Sequence, residues 1–296
     1  MVTIGDDSIS LLRRETLHTI IRYEVLINKK NMSKKMRKTL FVLFPILFFC
    51  FINHLRSQDM VIEIESLESI KIKMYHDTTF LGSGTGFIIK PKDTYYILTN
   101  RHNFTMQNVW NDAWINDLKL APNRIEIDYR IKSDYRKIIT IEEKLFDKDG
   151  QRRFKTMSYK NGQKIDVTIL PISNIVDEMK IYSLNLSKYV KPFKLRPYHF
   201  LSVVGYPSGM SSRHGLPIWK TGFIASEPDL DQQSLPIIWM DIETDGIAGM
   251  SGSPVYYIRG ENERTLVGIF SHGFQNIKVG ALWKIDFLME YFETLD

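Results

Sequence analysis

Cysteine is almost absent from this chain of 296 residues, which contains a single one, Cys50. A disulfide framework is therefore excluded, and the fold must be stabilised by burial of its core. Long apolar runs are also scarce, since the longest unbroken one extends only from Leu40 to Ile52. The sequence has no internal repeat and no low-complexity tract, and its composition is that of a globular protein.

The basic charge of the chain is confined to its N-terminal part. Residues 1–58 hold ten of the 39 Lys and Arg residues but only four of the 34 Asp and Glu residues, although the whole chain carries a formal charge of +5. The remainder has 29 basic and 30 acidic residues, a net charge of −1. It therefore carries no basic footprint for a nucleic acid, and we expect no nucleic-acid partner.

The N-terminal part has the layout of an export signal. A basic stretch, Ser33 to Lys38, precedes the apolar run from Leu40 to Ile52, and polar residues follow as far as Gln58. The run of 13 residues is shorter than the roughly 17–25 that a membrane-spanning helix needs. We therefore predict a signal peptide over residues 32–58, cleaved at about Ser57 or Gln58, and a short membrane anchor is the alternative. Residues 1–31 form an N-terminal extension that precedes this signal.

After the leader the pattern changes to that of short strands. Ile70, Ile72 and Met74 alternate with lysines, and several apolar runs of four or five residues follow, separated by Gly, Pro and Asn-Gly turns. Such spacing is typical of an all-β sandwich or barrel. Only the segment from Ile285 to Leu295 has the period of a helix, with one apolar face. We therefore predict an all-β fold with a short C-terminal helix.

The segment Gly249-Met250-Ser251-Gly252-Ser253-Pro254 has the composition expected around a catalytic serine. A serine hydroxyl needs a base that takes its proton and backbone N–H groups that stabilise the oxyanion. Glycines on both sides permit the backbone geometry that leaves such N–H groups uncovered. A simple turn between strands is the alternative. The segment differs from the Gly-x-Ser-x-Gly elbow of α/β-hydrolases, because Ser253 occupies the last position.

One histidine and one aspartate lie at strand ends, where the base and its orienting acid are expected. His102 directly follows the apolar strand Tyr96 to Thr99, and Asp166 opens another apolar strand, Val167 to Leu170. A carboxylate next to a buried strand needs a partner. The order His, Asp, Ser matches only one of the common triad orders and excludes those of α/β-hydrolases and subtilisins.

Six segments in succession resemble the motifs of trypsin-like peptidases: Gly84 to Phe87, Leu98 to His102, Asp166 to Leu170, Val204 to Pro207, Gly249 to Pro254 and Gly268 to Gly273. They are most similar to the bacterial branch without disulfides, the HtrA and glutamyl-endopeptidase kind. The resemblance covers the chain from about Val61 onward. It implies two perpendicular six-stranded β-barrels of the chymotrypsin type within residues 59–296, the first over about 61–180 and the second over about 181–296.

The resemblance also implies roles for individual residues. His102, Asp166 and Ser251 would form the catalytic triad, and the N–H groups of Gly249 and Ser251 would form the oxyanion hole. Ser271, His272 and Gly273 would bind the substrate backbone. Asp245, six residues before Ser251, would form the floor of a pocket for Lys or Arg, unless it is a solvated turn residue and the pocket takes small or apolar side chains. Neither a metal ion nor a cofactor is implied.

Three departures from the family pattern limit what is carried over. Met250 stands where animal trypsins have the aspartate that pairs with a freed N-terminus, so activation by that ion pair is excluded. Phe270 stands where glutamyl endopeptidases have a specificity histidine, so a preference for Glu is not supported. The distance from the second barrel to Asp296 leaves no room for a PDZ domain.

These observations predict an exported serine endopeptidase that acts on polypeptides through an acyl-enzyme. The alternative is a catalytically silent barrel that serves as a binding module, which requires a collapsed oxyanion loop around Met250. Membrane association through the apolar run depends on whether the leader is cleaved. The oligomeric state is not predicted.

Overall fold

The computed structural model describes residues 2–4, 60–186, 194–260, 263–274 and 277–293. The predicted leader, residues 32–58, lies outside the described residues, as does the extension before it except for residues 2–4. One compact unit ends at Ile64 and contains the antiparallel pair β1 (Val2–Ile4) and β2 (Met60–Ile62). The other unit begins at Glu65. None of the described helices is long and apolar enough to cross a membrane.

A nine-stranded sheet forms the first half of the unit that begins at Glu65. Its strands pair in the order β10-β6-β3-β4-β5-β9-β8, with β7 added to β6 and β11 added to β4 in parallel. In chain order they are β3 (Ser69–His76), β4 (Thr79–Ile89), β5 (Tyr96–Thr99), β6 (Arg124–Ile131), β7 (Asp134–Lys144), β8 (Lys155–Tyr159), β9 (Gln163–Pro171), β10 (Met179–Lys180) and β11 (Ser183–Leu184). Two one-turn helices, α1 (Ile64–Glu68) and α2 (Arg101–Thr105), accompany the sheet.

A closed six-stranded barrel forms the second half. Its strands pair in the circular order β12-β13-β14-β17-β16-β15. In chain order they are β12 (Phe200–Gly205), β13 (Ile218–Ile224), β14 (Ile237–Asp241), β15 (Pro254–Arg259), β16 (Glu263–Phe274) and β17 (Val279–Lys284). The helix α3 (Asp286–Glu293) follows the last strand.

The predicted all-β class, the six-stranded second barrel and the C-terminal helix are confirmed. The first half differs in detail, because its strand pairing joins nine strands where six were expected. The additional pairing comes from the long hairpin of β6 and β7 and from the two-residue strands β10 and β11. The boundaries proposed for the two halves, about 61–180 and 181–296, stay a prediction.

One cluster of buried apolar residues contains side chains from both the sheet and the barrel. Phe87, Leu98 and Val167 of the sheet belong to the same buried cluster as Tyr256 and Trp283 of the barrel. This cluster supports three neighbouring segments of the chain. His102 lies on α2, directly after β5, Asp166 lies in β9, and Ser251 lies in the loop between β14 and β15.

Candidate active site

His102 and Asp166 form a hydrogen-bonded pair inside the sheet. The Nδ1–H of His102 donates to Oδ2 of Asp166 at 2.7 Å, and the backbone N–H of His102 donates to Oδ1 at 3.0 Å. His102 lies on α2, directly after β5, and β5 pairs with β9, which carries Asp166. The side chain of Asp166 is 1% exposed and that of His102 is 15% exposed, so the acid is sealed and the imidazole reaches solvent.

Further polar groups hold Asp166 in place. The hydroxyl of Ser271 donates to Oδ2 at 2.7 Å, and the side-chain amide of Asn100 donates to the Asp166 carbonyl at 2.6 Å. Burial acts most strongly on the pKa of Asp166 and would raise it. The charge of His102, together with the hydrogen bonds from His102 and Ser271, outweighs burial, and the pKa lies below its ordinary value. Asp166 is therefore ionised and able to orient the imidazole.

The loop that carries Ser251 depends on its two glycines. Gly249 and Gly252 have φ angles of +89° and +90°, in the region that favours glycine. A Cβ atom at Gly249 would lie 2.5 Å from the Tyr206 carbonyl oxygen, and one at Gly252 would lie 2.0 Å from the Thr85 carbonyl oxygen. No other residue type fits these two positions without a shift of the backbone.

The hydroxyl of Ser251 donates to the carbonyl of Ser271 at 2.8 Å. Among the described residues it makes no hydrogen bond to His102. Ser271 nevertheless connects the two halves of the site, because its hydroxyl binds Asp166 while its carbonyl binds Ser251. The fold thus brings His102, Asp166 and Ser251 to one place, with the serine hydroxyl turned toward Ser271.

The backbone around Ser251 leaves two N–H groups available. Met250, Gly252 and Ser253 each donate a backbone hydrogen bond, to Ile247, Phe270 and Met250 respectively. Within the described part of the chain, the N–H groups of Gly249 and Ser251 donate none. These are the two groups that sequence reasoning assigned to the oxyanion hole.

Met250 supports this loop by packing. Its side chain is fully buried in the core of the barrel, and its sulfur lies 3.2 Å from the position that a Cβ atom would take at Gly205. An apolar anchor therefore occupies the place where animal trypsins use an ion pair. The loop has an ordered support, in contrast to the collapse that the binding-module alternative requires.

Thr85 and Asn103 hold the loop from the side of the sheet, and sequence reasoning assigned them no role. Thr85 donates its hydroxyl to the Gly249 carbonyl at 2.7 Å and its N–H to the Ser251 carbonyl at 2.9 Å. The amide of Asn103 also donates to the Ser251 carbonyl, at 3.0 Å. Thr85 lies inside the motif Gly84 to Phe87, and Asn103 directly follows His102. Their positions within or next to these motifs are the sequence feature from which a role in the site could have been predicted.

A pocket of about 580 Å³ opens beside Ser251. Its lining is mainly apolar and consists of Ile247, Ala248, Ser251, Phe270, His272, Gly273, Phe274 and Ile277. Asp245 is not part of this lining. It is exposed, its N–H binds the Glu243 side chain, and its carbonyl accepts a hydrogen bond from Lys220.

The three residues predicted to bind the substrate backbone occupy different positions. His272 and Gly273 line the pocket, whereas Ser271 is fully buried and its hydroxyl serves Asp166. No cluster of three or more His, Cys, Asp or Glu side chains among the described residues could hold a metal ion.

The fold and the site together define a class of protein: a β-barrel protein with a buried acid–histidine pair next to a serine on a glycine-bounded loop. The trypsin-like peptidase domain family matches residues 84–269, more than half of the chain. The chain therefore belongs to this family, in agreement with the resemblance and with the enzyme class, a trypsin-like serine endopeptidase, that the sequence predicts.

Distant structural similarities accompany this match. The serine endoprotease from Yersinia pestis is 15% identical with a TM-score of 0.45, over 79% of this chain and 66% of its own length. The thermostable serine protease AL20 from an extremophilic microorganism is 11% identical with a TM-score of 0.45, over 78% of this chain and 96% of its own. Human heparin binding protein is 11% identical with a TM-score of 0.47, over 79% and 93% respectively. No curated protein sequence matches the chain.

Proposed function

We propose that this protein is a serine endopeptidase in which His102, Asp166 and Ser251 form the catalytic triad. The observation that carries the proposal is the buried Asp166–His102 pair, at 2.7 Å, next to Ser251 on the loop between two positive-φ glycines. An acid that holds a solvent-facing imidazole through Nδ1 leaves Nε2 as the base for the serine hydroxyl.

The reaction begins with a rotation of the Ser251 side chain. Its hydroxyl leaves the Ser271 carbonyl and turns to His102, which takes its proton as the oxygen attacks the scissile carbonyl. Asp166 stabilises the imidazolium that forms. The N–H groups of Gly249 and Ser251 bind the oxyanion, the amine leaves with a proton from His102, and water hydrolyses the acyl-enzyme.

The pocket next to Ser251 supports a substrate class. Ile247, Phe270, Phe274 and Ile277 give it an apolar wall. We therefore infer that the residue before the scissile bond is apolar, in line with the alternative of a small or apolar preference in place of a basic one. A pocket of this kind selects by burial of apolar surface, and its discrimination between similar side chains is about 1–3 kcal/mol per methylene.

Covalent labelling tests the triad directly. Ser251→Ala should abolish modification by a fluorophosphonate, and His102→Ala or Asp166→Asn should each slow peptide cleavage by about 10⁴–10⁶-fold, because the triad acts as a unit. Ser253→Ala is the matched control, since this buried hydroxyl two residues away has no hydrogen-bond partner among the described residues. Folded wild-type protein that neither labels nor cleaves casein would favour the binding module instead.

Export is part of the proposal and rests on the sequence of residues 32–58. Cleavage at Ser57 or Gln58 would remove β1, which pairs with β2. N-terminal sequencing of protein from the cell envelope should therefore find a start near Asp59. An intact N-terminus that remains in the membrane fraction would identify the run from Leu40 to Ile52 as an anchor.

A further inference from the structure

A second histidine is hydrogen-bonded into the triad through Ser271. The Nδ1 atom of His272 lies 2.9 Å from the Ser271 hydroxyl, which in turn donates to Asp166 at 2.7 Å. On the other side, the indole N–H of Trp110 donates to Nε2 of His272 at 3.4 Å, and the two rings meet edge to face at 5.9 Å. A continuous chain of polar groups therefore runs from an exposed tryptophan to the buried catalytic acid.

The partners of His272 determine where its proton lies. An ionised carboxylate only accepts hydrogen bonds, so the single hydrogen of the Ser271 hydroxyl points to Asp166. The oxygen of Ser271 must then accept from His272, which places a hydrogen on Nδ1. An indole only donates, so Nε2 of His272 is bare. The arrangement requires the neutral Nδ1–H tautomer.

We propose that His272 is a positioning residue for the triad: its Nδ1–H holds the Ser271 hydroxyl on Asp166, and protonation at Nε2 weakens catalysis at acid pH. The inference rests on the proposed peptidase function. Protonation at Nε2 replaces the acceptor that Trp110 needs with a second donor. It also places a cation near the imidazolium that His102 must become in the transition state, which like-charge repulsion disfavours.

The surroundings of His272 favour the neutral form. Burial is the largest effect on the pKa of His272 and lowers it, Asp166 acts in the opposite direction, and His102 lowers it further. On β17, the strand paired with this part of β16, Ala281 and Gly280 lie opposite His272 and Gly273 and carry no charge.

The segment that contains Trp110 carries its own paired charges. Asp112 forms an ion pair with Arg101 at 2.9 Å and lies 3.9 Å from Lys164. The Arg101–Asp112 pair joins this segment to α2, next to His102, and so keeps Trp110 near His272. On the remaining side, Phe274 contacts the imidazole edge to face at 5.0 Å and is uncharged.

The pH dependence of kcat/KM separates this role from a merely structural one. In the wild type, the slope of the acid limb should steepen from one toward two as pH falls, because protonation of His272 adds one inhibitory proton to that limb. His272→Gln removes the second titration and keeps an N–H donor for Ser271, so its slope should stay at one. His272→Phe should also give a slope of one but a plateau about tenfold below that of His272→Gln, because the donor is lost.

The control for the kinetic experiment is His214→Gln, in which a histidine elsewhere on the barrel is removed. It should keep the steep acid limb of the wild type. Equal slopes for the wild type and His272→Gln would overturn the proposal, as would a plateau of His272→Gln no higher than that of His272→Phe.

Nitrogen NMR of the histidine rings tests the inference without any activity. Near neutral pH, His272 should show the Nδ1–H tautomer, and Trp110→Phe should shift it toward a mixture with the Nε2–H form, since the indole donor is gone. A protonated or Nε2–H His272 in the wild type would refute the proposal. If the tautomer is as expected but neither the wild type nor any His272 variant reacts with a fluorophosphonate, the proposed peptidase function is contradicted. The positioning role of His272 is then contradicted as well, because it rests on that function.

Discussion

At the scale of single residues, the contrast between Asp245 and Ala248 bears on substrate choice. Both lie in the loop that leads to Ser251, three residues apart. Ala248 is one of the residues that line the pocket and Asp245 is not, although both residues are exposed to solvent. A solvated carboxylate outside the pocket contributes little to the binding of a buried cation, because water screens its charge.

Two substitutions test this assignment. Asp245→Ser should leave the preference for the residue before the scissile bond unchanged. Ala248→Asp places a carboxylate at the wall of the pocket and should raise cleavage after Lys and Arg, relative to Phe and Leu, by about tenfold or more. A peptide library measures both. A basic preference in the wild type that Asp245→Ser removes would support the prediction that Asp245 is the floor of the pocket.

At the scale of an element, the loop between β14 and β15 combines three kinds of support. Met250 anchors the loop in the barrel core. Thr85 donates hydrogen bonds to the carbonyls of Gly249 and Ser251, the residues on either side of Met250. The third support is the close approach of Gly252 to the sheet, where a Cβ atom would lie 2.0 Å from the Thr85 carbonyl oxygen and 2.3 Å from the Thr99 hydroxyl. The proposed oxyanion hole, formed by the N–H groups of Gly249 and Ser251, therefore depends on one particular backbone conformation of this loop.

Gly252→Ala and Gly246→Ala form a matched pair for this loop. Both glycines have positive φ, but a Cβ atom at Gly246 has no neighbour within 4 Å. Gly246→Ala should cost about 1–2 kcal/mol of unfolding free energy from backbone strain alone and keep fluorophosphonate labelling. Gly252→Ala adds the clash with Thr85 and should slow labelling by about 100-fold or more. Equal labelling rates in folded variants would show that the close contact is not required.

At the scale of the whole molecule, the sheet and the barrel are held together by a shared core and by polar contacts across it. Phe287 of α3 contacts Tyr159 of β8 at 6.1 Å between ring centroids, and Tyr159 donates a hydrogen bond to Asp231 at 2.9 Å. Arg130 of β6 donates to the carbonyl oxygens of His214 and Gly215 in a loop of the barrel half. We therefore expect the two halves to unfold together.

Phe287→Ala tests this coupling, because its ring lies in the core that both halves share. The substitution should lower the free energy of unfolding by about 3–5 kcal/mol. Unfolding should still occur in a single transition, with the same midpoint whether it is followed by circular dichroism or by the loss of fluorophosphonate labelling. Leu230→Ala is the control, since this side chain is 60% exposed and its loss should change stability by no more than about 0.5 kcal/mol. Two separate transitions in Phe287→Ala would mean that the halves fold independently.

Much of the fold could be predicted from the sequence, because its determinants are local. Alternation along segments such as Ile125 to Tyr129 sets which side chains enter the core, and the strand β6 shows that burial pattern. The terminal helix followed from the helical period of its own segment, whereas the six-stranded barrel was an expectation that only the resemblance to the family implied. The strands β10 and β11 of the first half could not be predicted, since a strand of two residues has no period to detect.

By itself, the sequence determined where His102, Asp166 and Ser251 stand along the chain and that glycines flank the serine, because each signal lies within a few residues. The tertiary structure decided what surrounds them. Trp110 meets His272 across 162 positions of sequence, and Thr85 meets the Gly249 carbonyl across 164. The side to which Asp245 turns depends on the path of its whole loop. Contacts of this kind arise only when distant strands pair and pack, and no local pattern of residues encodes them.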